Sequence, residues 1–94
     1  MINLATLTPE QFDPLVGTGF TVNGTPDVLI LLDVQHLQSP SARAQPFSLT
    51  FTSRTHRLLQ STFRLVHPQL GEFDLFIVPL QPDARGPIYE AVLN

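Results

Sequence analysis

Residues 63–76, FRLVHPQLGEFDLF, constrain the fold more than any other stretch of the sequence. Apolar residues alternate with polar ones on both sides of a loop at residues 67–71, which predicts two antiparallel strands. The favoured register makes three cross-strand pairs: Leu65 with Phe73, Phe63 with Leu75, and Arg64 with Asp74. Slipping the register by one residue would set Leu65 against Asp74. The stretch therefore predicts a β-hairpin with one apolar face and an ion pair on the other.

Further segments have the two-residue period of strands, and together with the hairpin they make about six. Phe47 to Thr52 alternates cleanly between apolar residues and hydroxyls. The predicted strands are residues 20–22, 28–37, 47–52, 61–66, 72–79 and 88–93. Close spacing and short connections predict an all-β fold: a small antiparallel barrel, with a two-sheet sandwich as the alternative. Residues 38–46, rich in Ser, Pro, Gln and Ala, are predicted to form a loop.

One short helix is predicted before the first strand. Thr8 is a good N-cap, Pro9 suits the first helical position, and Gln11 completes a capping box. Pro14 limits the helix, because the residue before a proline is pushed out of the α region. The apolar residues of this segment are expected to dock it on the body of the protein: Leu7, Phe12, Leu15 and Val16.

Two loop lengths are possible for the connection between the first two strands. A two-residue Asn-Gly turn at residues 23–24 would place Pro26 within the strand pairing, where proline has no N–H to donate a ladder hydrogen bond. Looping out residues 23–27 instead sets Val22 against Val28 and Phe20 against Ile30. We prefer this longer loop, which assigns four residues to the core face: Val28, Ile30, Leu32 and Val34.

Length and charge exclude several classes of function. The 94 residues fit one domain spanning residues 1–94, and the lack of cysteine excludes disulfides and thiolate chemistry. A net charge of −3, with no lysine, argues against binding to nucleic acid or anionic membranes. Neither a signal peptide nor a membrane-spanning segment is evident, so we expect a cytoplasmic protein.

The candidate catalytic groups do not form a recognisable site. His36, His56 and His67 lie in separate segments without a short metal-ligand spacing. There is no nucleophile motif, no glycine-rich phosphate loop and no cysteine. We therefore expect no enzyme activity, no metal and no cofactor, and we interpret His67 as an imidazole that hydrogen-bonds the backbone near the turn.

Two strands carry apolar residues on both faces. Leu29, Leu31, Phe76 and Val78 lie opposite the residues assigned to the core, and they could form an interface with a protein partner or a second copy. The alternative is that the N-terminal segment covers them with four apolar residues: Leu4, Leu7, Phe12 and Leu15. A rival function is a small-ligand-binding barrel whose mouth carries His67, Arg85 and Tyr89.

The segments LTPEQFDPLVGTGF, FRLVHPQLGEFDLFIVPL and YEAVLN resemble a family of small bacterial proteins of unknown function. That family begins with LTxExFxPLVG, continues through YxLxHPxLG and LFLVP, and ends in YEAVFN. This chain differs by having Phe63, Ile77 and Leu93 where the family has Tyr, Leu and Phe. The resemblance implies no established activity. Family members encoded beside proteins similar to phage-tail collar or fibre subunits imply an accessory or assembly role.

Overall fold

A computed structural model describes residues 2–38, 45–53 and 58–94. A short 3-10 turn at Leu4–Thr6 precedes the helix α1 at Pro9–Phe12, which continues into a second 3-10 turn at Asp13–Leu15. Within the described part, six strands follow: β1 Gly19–Val22, β2 Val28–His36, β3 Phe47–Ser53, β4 Ser61–His67, β5 Gly71–Asp83 and β6 Gly86–Leu93. The predicted strands are confirmed, with β5 continuing to Asp83 instead of ending at Pro79. His56 and most of the predicted 38–46 loop lie outside the described residues.

The strands form a closed antiparallel barrel in the order β1-β2-β3-β6-β5-β4, which confirms the barrel over the sandwich. Neighbours in sequence pair as hairpins, except that β3 and β4 are not adjacent in the barrel. Closure pairs every strand on both sides and leaves no free sheet edge. One end of the barrel carries the β4–β5 hairpin and the other carries the β5–β6 hairpin.

The N-terminal segment closes one end of the barrel. Gln11 Oε1 accepts a hydrogen bond from the Thr8 N–H at 2.8 Å, which confirms the predicted helix start at Pro9. Phe12 is fully buried, and its ring lies about 6 Å from three barrel rings: Phe47 at 5.8 Å, Phe73 at 6.0 Å and Phe20 at 6.1 Å. A single helical turn therefore seals the aromatic core.

Two expectations about this segment need correction. Val16 does not dock on the body, because its side chain is 46% exposed after the chain has turned away from the core. Leu7, Phe12 and Leu15 are buried, but they pack against the core at the barrel end instead of covering an outer sheet face. Phe76 remains 51% exposed.

No helix among the described residues is long and apolar enough to cross a membrane.

The β4–β5 hairpin has the predicted register. Its ladder includes Leu65 with Phe73, Phe63 with Leu75, and Arg64 with Asp74. The first two pairs face the core, and Arg64 Nε donates to Asp74 Oδ1 at 3.0 Å on the outer face. Gly71 has φ of +102°, a conformation that favours glycine because a side chain would be strained there. The Gly71 position thus fixes the return of the chain into β5.

The β1–β2 hairpin differs from the predicted register by one residue. Thr21 lies opposite Val28 and Phe20 opposite Leu29, and the Val22 N–H donates to the Asp27 carbonyl at 2.9 Å. The loop therefore comprises residues 23–26 instead of 23–27. Its closure depends on Thr25, whose Oγ1 donates to the Val22 carbonyl at 2.9 Å and accepts from the Asp27 N–H at 3.0 Å.

This one-residue difference inverts the two faces of β2, because side chains alternate along a strand. Leu29 and Leu31 are fully buried in the core, so their assignment to an outer interface is wrong. Val28 is instead 36% exposed. The ladder then skips a residue between Leu31 and Asp33, a bulge that reverses the alternation again. Val34 consequently packs against the core, as predicted.

Candidate interaction surface

An apolar strip runs along the outside of β5 and β6. We call Phe76, Val78, Leu80 and Val92 the outer strip. On β5 the first three alternate with the buried core residues, and Val78 and Leu80 pair with Glu90 and Ile88 of β6. Phe76, Leu80 and Val92 are 51%, 42% and 49% exposed, respectively. Glu90 lies opposite Val78 and adds a charge beside the outer strip, whose own side chains are aliphatic or aromatic.

The outer strip leads into an apolar cleft at the end of the barrel away from α1. The cleft has a volume of about 200 Å³ and is lined by Leu58, Leu59, Pro79, Leu80, Pro82, Pro87, Ile88 and Tyr89. Leu80 belongs to both the outer strip and the cleft, so the two form one continuous surface. Leu59 is 81% exposed at the cleft margin. Among these residues only the Tyr89 side chain is polar, and its hydroxyl accepts from the Leu58 N–H at 2.9 Å.

Backbone pairing and proline together shape this cleft. The β5–β6 ladder is irregular between Leu80 and Asp83, where the hairpin leaves regular pairing. Prolines cannot donate a ladder hydrogen bond, so Pro82 suits this irregular region, while Pro79 lies just before it, opposite Tyr89. The clustering of prolines around the β5–β6 turn was the available sequence signal for the cleft. The sequence could not show that Leu58 and Leu59, which precede β4, complete it.

His67 lies at the opposite end of the barrel from this cleft. It is buried, its ring lies 4.6 Å from that of Phe20, and its Nδ1 accepts from the Gln69 N–H at 3.1 Å. Because Nδ1 accepts, Nε2 carries the proton of the neutral ring and donates to Thr18 Oγ1 at 3.0 Å. The Thr18 hydroxyl donates in turn to the Leu15 carbonyl at 2.6 Å.

This hydrogen-bond chain gives His67 a structural role that links the hairpin to the N-terminal segment. Burial lowers the pKa of His67, because removal from water disfavours the charged imidazolium. Both ring nitrogens are occupied in the neutral form. A protonated ring would turn Nδ1 into a donor directed at the Gln69 N–H, which is itself a donor. The geometry confirms our interpretation of His67 as an imidazole bonded to nearby backbone.

The three residues predicted at a ligand-binding mouth do not come together. Arg85 lies in the β5–β6 turn and Tyr89 follows it, whereas His67 lies at the other end of β5, beside Gly71. Arg85 Nη2 contacts Asp83 Oδ2 at 2.7 Å, and these hydrogen bonds raise the pKa of Arg85 and lower that of Asp83. The prediction of a ligand-binding mouth made of all three residues is therefore wrong, because His67 lies at one end of β5 and Arg85 and Tyr89 lie near the other.

The fold and surface define a class: small closed six-stranded antiparallel β-barrels with one end sealed by a helical turn. Within that class, the chain belongs to the family described as Domain of unknown function (DUF6916), whose model matches residues 7–93. The match confirms the resemblance to a family without an assigned function. No curated protein and no solved structure matches the chain.

Proposed function

We propose that this chain is a non-enzymatic assembly module that binds a protein partner through the outer strip. The observation that carries the proposal is the exposure of Phe76, Leu80 and Val92, each between 42% and 51%, on neighbouring strands of one sheet face. Soluble proteins seldom leave large contiguous apolar patches open to water, and such patches typically mark interaction sites.

The form of the surface favours a protein over a small molecule. Phe76 is a large aromatic residue beside smaller aliphatic ones, the composition that supplies the central anchor of many interfaces. The cleft of about 200 Å³ is smaller than the roughly 300–1,000 Å³ of typical small-molecule sites. An apolar side chain of the partner would fill it while the partner backbone covers the outer strip.

The partner is expected to be a protein encoded with this chain. The family resemblance favours phage-tail-like collar or fibre proteins as the first candidates, and it favours an accessory role in their assembly in the cytoplasm. The net charge of −3 argues against nucleic acid as the partner. Glu90, which lies opposite Val78 beside the outer strip, would favour a partner that brings a basic residue to the same face.

The experiment compares two arginine substitutions. Phe76→Arg places a charge on the most exposed residue of the outer strip, and Val16→Arg places the same charge on an apolar residue of similar exposure outside the strip. Each tagged chain is used to capture co-expressed phage-tail-like collar or fibre proteins, and dissociation constants are measured for the partner recovered. Circular dichroism verifies that both variants fold.

Phe76→Arg should weaken the complex by about 2 kcal/mol or more, roughly thirtyfold in the dissociation constant, because it replaces an apolar anchor. Val16→Arg should bind as the wild type does. Equal binding by the wild type and folded Phe76→Arg would refute the proposal. Self-association that Phe76→Arg abolishes would identify a second copy of the chain as the partner.

A small-ligand-binding function is the second candidate, and the cleft beside Tyr89 is the observation that favours it. A ligand there would be small and apolar, since the cleft offers prolines, leucines and one aromatic ring. NMR titration with short aliphatic alcohols would test it: saturable shifts confined to residues 58–59 and 79–89 would support the site. Shifts that do not saturate would exclude it.

A further inference from the structure

Three exposed side chains that can ligate a metal ion converge near the barrel end that α1 closes. Glu10 lies in α1, Asp13 directly follows it, and His36 is the last residue of β2. Each offers one ligand atom, and the three atoms all lie within 4.8 Å of one another. The donors are mixed, two carboxylate oxygens and one imidazole nitrogen. We call these residues the Glu10–Asp13–His36 cluster.

The backbone holds these side chains together. Glu10 and Asp13 are three residues apart on a helical turn, a spacing that puts both on one side of it. Asp13 remains part of that turn, because its N–H donates to the Pro9 carbonyl. His36 pairs with Phe47 in the β2–β3 ladder, and the Phe47 ring packs against Phe12 at 5.8 Å. A buried contact thus fixes the strand end against the helix.

The two carboxylates approach each other without a cationic partner among residues 2–38, 45–53 and 58–94. The ion pairs seen in that part of the chain join Arg64 to Asp74 and Arg85 to Asp83, both outside the cluster. Like charges held close together repel, and a bound cation removes that cost. The imidazole beside them adds a nitrogen ligand atom, which distinguishes this cluster from a purely acidic surface.

We propose that the Glu10–Asp13–His36 cluster binds a divalent transition-metal ion of the zinc class. Zinc accepts imidazole nitrogen and carboxylate oxygen at about 2.0–2.2 Å, which places tetrahedral ligand atoms roughly 3.4 Å apart. All three side chains are exposed, so rotamer changes close the remaining distance. Mg²⁺ and Ca²⁺ prefer oxygen ligands, and they gain less from His36. Bound metal would tie the N-terminal segment to β2.

Calorimetric titration with ZnCl₂ tests the site on the full chain. The wild type should bind one Zn²⁺, and thermal unfolding should shift upward with Zn²⁺ and return with a chelator. His36→Ala and, separately, Asp13→Asn should each weaken binding by roughly tenfold or more, since losing outer-shell partners of a metal site alone costs 10–100-fold. Millimolar Mg²⁺ should not compete.

Two control variants separate this cluster from adventitious binding. Asp33→Asn removes an exposed carboxylate of β2 outside the cluster, and His56→Ala removes a histidine from another segment. Both should bind Zn²⁺ as the wild type does. The proposal is overturned if the wild type binds no Zn²⁺, or if folded His36→Ala and Asp13→Asn retain wild-type affinity. Equal losses in Asp33→Asn or His56→Ala would also overturn it.

Discussion

Replacing Phe12 by alanine tests whether one helical turn seals the barrel. Burying a phenylalanine side chain removes about 150–250 Å² from water, and at about 25 cal/mol per Å² this amounts to roughly 4–6 kcal/mol. Alanine retains part of that burial, but the vacated space adds a cavity cost. Measured Phe→Ala substitutions in cores cost about 3–5 kcal/mol. We expect Phe12→Ala to lose about 4 kcal/mol.

The size of this loss follows from the surroundings of Phe12. Its ring is fully buried and lies within 6.1 Å of the Phe20, Phe47 and Phe73 rings, inside the range of favourable aromatic pairs. Those three residues belong to different strands, so the barrel cannot collapse onto the vacated space without moving paired backbone. A cavity that cannot collapse is the costly kind.

Urea denaturation followed by circular dichroism measures the effect. A domain of this length has a free energy of unfolding of roughly 5–14 kcal/mol, so a loss of about 4 kcal/mol is a large fraction. The thermal midpoint should fall by roughly 15–30 °C. Val16→Ala, an exposed neighbour on the same segment, should change stability by less than about 0.5 kcal/mol. A Phe12→Ala loss below about 1 kcal/mol would refute the sealing role.

Three further predictions concern the core and the turns. Burial lowers the pKa of His67 below its unfolded value of about 6.5, so the unfolded chain binds more protons and the free energy of unfolding falls as the pH drops below that value. His67→Gln should reduce this loss of stability at low pH. An unchanged dependence of stability on pH would contradict the prediction. Gly71→Ala should lower the free energy of unfolding by about 1–3 kcal/mol in urea denaturation, more than Gly24→Ala does. Both glycines have positive φ, but only at Gly71 would the new methyl group meet another side chain. Equal losses in the two variants would contradict this prediction. Leu31→Ala should lower the free energy of unfolding by about 2–5 kcal/mol, and Val28→Ala should lower it much less, because Leu31 is buried and Val28 is partly exposed. The reverse order would instead support the β2 faces predicted from the sequence.

The β4–β5 hairpin could be predicted from the sequence because it carries two independent signals. Alternation alone leaves strand register open, but Arg64 and Asp74 fit opposite each other in only one of the registers compared. Gly71 then marks where the chain must turn with positive φ. The outward direction of Phe76 and Val78 follows from this register, which is why their position outside the core was predicted correctly.

The β1–β2 hairpin could not be predicted in the same way. Residues 28–32 read VLILL, so either face of the strand is apolar and hydrophobic periodicity does not choose between them. The choice rests on a loop length that Thr25 decides through two local hydrogen bonds. A loop one residue shorter than predicted exchanges the buried and exposed faces.

The cleft and the metal cluster depend on contacts between segments that are distant in sequence. Leu58 lies before β4 and Tyr89 lies in β6, two strands that are not adjacent in the barrel, and the hydrogen bond between them spans 31 positions of the chain. Similarly, His36 meets Asp13 because Phe12 packs against Phe47. No local pattern encodes either meeting, since each follows from closure of the barrel.

The two proposed sites can be tested separately because they depend on different elements. The proposed partner-binding residues Phe76 and Leu80 lie on β5, whose ladder with β6 and β4 does not include α1. The metal cluster depends on α1 and on the end of β2, which pairs with β3. A substitution that unfolds the barrel would abolish both functions, whereas Phe76→Arg and His36→Ala should each affect one. Loss of a single function in a folded variant therefore assigns that function to its own surface.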